Sequence, residues 1–200
     1  MNMINQVSRV YKDLDNSIAR FQDVTGMHCP SGCAVCCGDW WVEATVLEVL
    51  PLGMEIYRQG QEQAVFSAIQ EKGDHEDTTC VLYIADPLLR GKSACGYYPW
   101  RPLLCRLFGF AGRRNKLGRI EFSACRIIKG QYPGDVQRAE MGLAAGLKVP
   151  VYQDAFMRIA SLDPGMGYRR LPINQAIKGA LEYLYWMHPG GWGWKKAVGF

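Results

Sequence analysis

Apolar residues recur at three- and four-residue steps from Ile4 through Val7, Val10, Tyr11, Leu14 and Ile18 to Phe21, drawing one apolar stripe along a helix. Gly26 is placed to stop it. Thr45 and Glu48 make a capping-box pair that opens a second helix, which Pro51 and Gly53 are expected to interrupt before a further helical stretch over 54–72. Beyond that the pattern shortens. Val81-Leu82-Tyr83-Ile84 and residues 94–98 read as two β-prone runs, with Asp86-Pro87 and Gly91 between them as turn residues. A small hairpin with Cys80 and Cys95 on its arms is therefore expected. Pro102 starts a short helix over 101–108, and 119–123 reads as a further short strand. Helical patterns return over 134–147, 151–161 and 173–187. The expected fold is mainly α with a small β-hairpin, one domain over 1–200. Its cysteine-bearing region spans 28–128 and a helical C-terminal extension spans 129–200.

At 200 residues and 48% hydrophobic, the chain can bury a core without disulfides. No run reaches the roughly 18 apolar residues of a membrane span, and residues 1–20 lack the apolar centre of a signal peptide. The expected compartment is the cytoplasm, where thiols stay reduced and can bind metal. The net charge of +4 hides an asymmetry. Five Lys and Arg stand against twelve Asp and Glu over 1–79, ten against two over 80–130, and eight against five over 131–200. The basic middle carries four cysteines, and cations there can offset buried thiolate charge. A nucleic-acid partner is not expected from this patch, although a basic face of this kind keeps the reading open.

Cys29, Cys33, Cys36 and Cys37 form a C-x3-C-x2-C-C run, followed at wide spacing by Cys80, Cys95, Cys105 and Cys125. Two or three intervening residues suffice to wrap a backbone around a metal, and thiolates select zinc or iron–sulfur clusters over hard cations. Neighbouring side chains usually diverge, so Cys36 and Cys37 point to two centres or to one extended cluster. Iron–sulfur, of the 4Fe–4S type, is the expected cofactor, with zinc as the alternative. The aromatic neighbours Trp40, Trp41, Tyr83, Tyr97, Tyr98, Phe108 and Phe110 supply either a dry shell or ordinary core.

These residues resemble the CxxxCxxCC zinc- or iron-chelating domain family, the YkgJ-type cysteine-cluster proteins. The likeness rests on Cys29–Cys37, on Thr45-x-x-Glu48, on Cys80-Val81-Leu82-Tyr83 and on Cys95-Gly96-Tyr97-Tyr98. It extends through Arg101-Pro102-Leu103-Leu104-Cys105-Arg106 to Cys125, which falls where that family commonly has a last cysteine. Two departures leave the cysteines untouched: Val81–Tyr83 lacks a phenylalanine, and Gly96-Tyr97-Tyr98 replaces an aliphatic-Tyr pair. The resemblance implies iron–sulfur or zinc binding, and some related proteins accompany lysine methylation of flagellin. No Gly-rich nucleotide loop follows a strand in this chain, so the methylase role does not carry over.

Arg101 and Arg106 are candidates to donate hydrogen bonds to cluster sulfurs or to an acidic ligand, with Pro102 fixing the local turn. His28 is expected beside the site or on the surface rather than among the ligands, and His75 in a solvated acidic link. His188 is expected to cap the last helix. The tail Gly190-Gly191-Trp192-Gly193-Trp194 either docks on a partner or packs on its own domain. The functional expectation is electron transfer or support of a redox enzyme through a protein partner. The alternatives are a zinc-stabilised interaction module and a metal-dependent protein-modifying enzyme.

Overall fold

The computed structural model describes residues 3–30, 32–33, 35–38, 42–73, 79–86 and 94–187. In chain order come α1 (Met3–Thr25), α2 (Val35–Gly38), β1 (Glu43–Thr45), α3 (Val46–Arg58) and α4 (Glu62–Lys72). A 3-10 turn (Tyr98–Trp100), α5 (Leu103–Leu107), β2 (Ala111–Arg114), β3 (Ile120–Ser123), α6 (Arg126–Gln131) and α7 (Pro133–Ala144) follow. The described residues end with α8 (Tyr152–Ala160), α9 (Pro164–Gly167), β4 (Arg170–Pro172) and α10 (Ile173–Met187). The expected mainly helical class is what the chain adopts. No described helix is long and apolar enough to cross a membrane.

The stripe read from the sequence is the buried face of α1, where Val7, Val10, Tyr11, Leu14, Ile18 and Phe21 all enter the core. Gly26 ends the helix with φ +75°, a conformation that costs glycine no Cβ clash. The capping box forms as expected: Glu48 N–H donates to Thr45 Oγ1 at 3.1 Å, and Thr45 N–H donates to Glu48 Oε1 at 3.2 Å. The expected break at Pro51 and Gly53 does not occur, and α3 continues through both. Pro51 forgoes one backbone bond within a helix whose burial outweighs that loss. Gly53 is where α10 crosses, and a Cβ there would stand 2.8 Å from Leu184 Cδ1. The glycine permits close approach of two helices rather than ending one.

The hairpin also differs from expectation. Between 81–84 and 94–98 there is a single antiparallel bridge, Tyr83 to Cys95, flanked by Ile84 N–H to Ala94 O at 2.8 Å and Gly96 N–H to Leu82 O at 3.1 Å. The turn residues Pro87 and Gly91 lie outside the described residues. The two-stranded hairpin is instead β2–β3, in register from Ala111 opposite Ser123 to Arg114 opposite Ile120. Its second strand was expected and its first was not. Asn115 and Gly118 were the available signal: Asn115 Oδ1 accepts from the N–H groups of Leu117 and Arg119, and Gly118 has φ +75°.

Residues 129–187 are no appendage. α10 packs on α3, β4 pairs antiparallel with β1, and α7 and α8 lie against α1. One buried cluster runs from Val7 to Leu184. Trp40, Trp41, His75, His188 and the tail 190–194, for which the sequence raised expectations, lie outside the described residues.

Candidate metal centre

Four separate segments bring the cysteines to one side of this core. The loop after α1 carries Cys29 and Cys33, and α2 carries Cys36 and Cys37. Cys80 lies three residues before the isolated bridge and Cys95 is one of its two partners, Cys105 sits on α5, and Cys125 is the N-cap of α6. Cys29, Cys33, Cys37, Cys80, Cys95 and Cys105 line a single cavity of about 130 Å³. Apart from Arg101 and Arg106 its other walls are largely apolar and aromatic, including Leu52 from α3 and Ile173 and Ile177 from α10. A smaller cavity of about 40 Å³ adjoins it, lined by Cys29 and Cys33 together with Cys125, Phe108 and Arg126. The two spaces thus share Cys29 and Cys33. The side chain of Cys36 lies outside the described set.

None of the seven cysteines whose side chains are described is joined in a disulfide. Among the described residues no three His, Cys, Asp or Glu side chains stand together closely enough to hold one bare metal ion. The thiols are spread around a volume instead of converging on a point.

Cys80 and Cys95 are held by similar local devices. Each sulfur has the backbone N–H two residues on as a partner, Leu82 for Cys80 and Tyr97 for Cys95. Burial pushes the Cys80 thiol up to about 12, despite that N–H, and the nearby Cys95 adds to the rise. Burial likewise raises Cys95, opposed by the Tyr97 N–H and the Arg101 charge. The Cys80 segment is clamped from α10: Asn174 Oδ1 accepts from Val81 N–H at 3.0 Å and Asn174 Nδ2 donates to Thr79 O at 3.0 Å. Cys125 Sγ accepts from Ile128 N–H at 3.4 Å, so this thiol also caps α6.

Arg101 and Arg106 both line the large cavity but are used differently. Arg106 Nη1 donates to Asp15 Oδ1 at 2.7 Å and Oδ2 at 2.6 Å, and Nη2 donates to Pro99 O. Its guanidinium carbon lies 4.4 Å from the centre of the Tyr11 ring. Tyr11 in turn donates from its hydroxyl to Glu48 O at 2.8 Å, and Glu48 Oε2 accepts from Leu103 N–H at 3.3 Å. One carboxylate therefore serves the starts of both α3 and α5, where the helix dipole favours negative charge. This network fixes α5, and with it Cys105, against α1 and α3. Arg101 instead stacks on Tyr98, 3.6 Å from the ring centre; the Nε atoms of both arginines are buried without a hydrogen-bond partner among the described residues. Burial and the charge of Arg106 lower the pKa of Arg101, while Asp15, Cys105 and Cys95 raise it.

Six of the eight cysteines picked from the sequence, with both arginines, thus meet at one cavity, and Cys125 meets Cys29 and Cys33 at its neighbour. His28 is exposed beside Cys29. Sequence reasoning missed Asn174, Asp15 and the cavity wall supplied by α10. No protein family, curated protein or solved structure matches the chain.

Proposed function

We propose that the protein holds an iron–sulfur cluster, of the 4Fe–4S type, in the cysteine cavity and serves in electron transfer or as the redox accessory of an enzyme. The observation that carries this reading is the gathering of six cysteines around one apolar space next to Arg101. A lone tetrahedral zinc draws its sulfurs to about 2.3 Å from one point. A multi-atom cluster keeps its cysteine sulfurs further apart and takes them from around a space, as the cysteines lining this cavity could supply them. The resemblance of the Cys29–Cys37 run and of Arg101–Arg106 to the YkgJ-type proteins implies iron–sulfur or zinc binding, and so agrees with a metal held by these cysteines.

A cluster bound there supplies a one-electron centre. The chain's own residues do the rest: cysteine sulfurs from the four segments ligate, and the N–H groups of Leu82, Tyr97 and Ile128 donate to Cys80, Cys95 and Cys125. Such bonds to sulfur raise a cluster's potential, whereas apolar walls, by disfavouring the added negative charge of the reduced state, lower it, and Arg101 offsets thiolate charge. Because ligation needs thiolates, buried sulfurs such as Cys80 give up protons on loading. A reducing compartment, the cytoplasm, and a protein redox partner complete the proposal.

Anaerobic purification followed by a visible spectrum and assays of iron, acid-labile sulfide and zinc tests it. The expected result is a brown protein with iron and sulfide in equal amounts. A colourless protein with stoichiometric zinc and no sulfide overturns it in favour of a zinc-stabilised interaction module.

A further inference from the structure

Outside the cysteine cavity, an open cleft of about 330 Å³ lies between α1 and the 3-10 turn at Tyr98. Its walls include Asp15 and Gln22 from α1, His28, Cys29, Tyr98 and Arg101. Three of these, Cys29, Tyr98 and Arg101, also line the cysteine cavity, so the cleft opens onto the first cysteine of the run. Its size suits a small molecule, and its lining is more polar than the cavity behind it.

The charges in the cleft do not cancel. Asp15 is engaged by Arg106 through both oxygens, so its negative charge is already met. Arg101 is the cation left over: stacked on Tyr98, it forms no ion pair among the described residues, whereas Arg106 has Asp15, and the buried Nε of each arginine has no acceptor there. A buried charged donor without an acceptor is costly, so a site that keeps one gains by binding an acceptor. A planar guanidinium with open N–H groups matches an oxyanion, and the Gln22 amide and His28 imidazole add donors from the same walls.

We infer that this cleft binds a small oxyanion, a carboxylate- or phosphate-bearing molecule, on Arg101 with Gln22 and His28, and holds it against Cys29 at the edge of the cysteine cavity. The site's existence does not rest on the cluster reading; its use as a place where a small acid meets a redox centre does.

Calorimetric titration of the protein as purified, at low ionic strength, with inorganic phosphate and separately with succinate tests the inference. Saturable binding of either probe is expected, and which one binds identifies the phosphate or the carboxylate source. Gln22→Trp narrows the cleft from a position that does not line the cysteine cavity, and it weakens binding about tenfold or more with iron and sulfide content unchanged. Arg101→Gln abolishes binding, and Arg101→Lys keeps part of it. Absence of saturable binding by both probes, or affinity unchanged in both Gln22→Trp and Arg101→Gln, overturns the inference. Iron-free protein that still binds the anion supports this site while overturning the cluster proposal.

Discussion

Arg106 is 3% exposed, whereas Asp15, which meets its charge, has a half-exposed side chain. The two ends of this ion pair should therefore respond differently to removal of the other. Asp15→Asn leaves a buried guanidinium without its counter-charge and is expected to cost about 3 kcal/mol. Arg106→Met leaves a carboxylate that water can solvate and is expected to cost about half as much, even though it also gives up the contacts to Pro99 and Tyr11. Urea unfolding of the two variants reads the difference directly. Glu48 offers a second residue-level measurement. Burial raises its pKa, against the opposing effects of the Thr45 and Leu103 hydrogen bonds and the Arg170 charge. A raised carboxyl pKa favours folding while the group is protonated. That contribution is complete below the unfolded value of about 4.3 and is lost as pH rises through the folded pKa. The stability gap between wild type and Glu48→Gln should thus shift against wild type as pH rises above about 4, read as urea midpoints across a pH series.

Two glycines show how differently the helices tolerate added bulk. At Gly53 a Cβ would meet only the end of the Leu184 side chain, which can rotate away, and alanine is about 1 kcal/mol better than glycine inside a helix. Gly53→Ala is expected to fall within about 1 kcal/mol of wild type. At Gly167 the obstruction is backbone, with Ala160 Cα at 2.6 Å and its carbonyl oxygen at 2.7 Å. Gly167→Ala is expected to cost about 2–3 kcal/mol, measurable as a lower thermal midpoint. The same elements mark what a sequence can carry. The stripe of α1, the Thr45–Glu48 box and the body of α10 were legible because each is written in adjacent turns. The pairing of β1 with β4 was not, since three-residue strands hold no period and their partnership is set by how α3 and α10 pack. Pro51 and Gly53 misled because local propensity spoke for a break where tertiary packing decided. At the site, cysteine spacing announced the donors, but Asn174 and Asp15 look like ordinary polar positions of helices until their partners, distant in sequence, come alongside.

At the scale of the molecule, the cysteine cavity is a junction between the first and last thirds of the chain. Asn174 on α10 holds the backbone on both sides of Cys80 from a position far along the sequence. Asn174→Ala removes two hydrogen bonds, each worth about 1 kcal/mol, and loosens the Cys80 segment without deleting a thiol. It is expected to lower the thermal midpoint, and with it the iron content that the proposed cluster would give, while Asn174→Asp, which keeps the acceptor for Val81 N–H, retains more of both. A thermal midpoint equal to wild type in Asn174→Ala would show that the Cys80 segment needs no such clamp.

Ile173 and Ile177 close one side of the cavity from the final described helix, whereas Cys29 to Cys37 lie near the start of the chain. During synthesis the first cysteines leave the ribosome long before the helix that walls them in. The cavity lacks that wall until Ile177 has emerged, so the proposed cluster would meet its complete pocket only after α10 has been made. Until then the early thiols stand open to oxidants and to stray metals, and accurate loading depends on how quickly α10 finds α3.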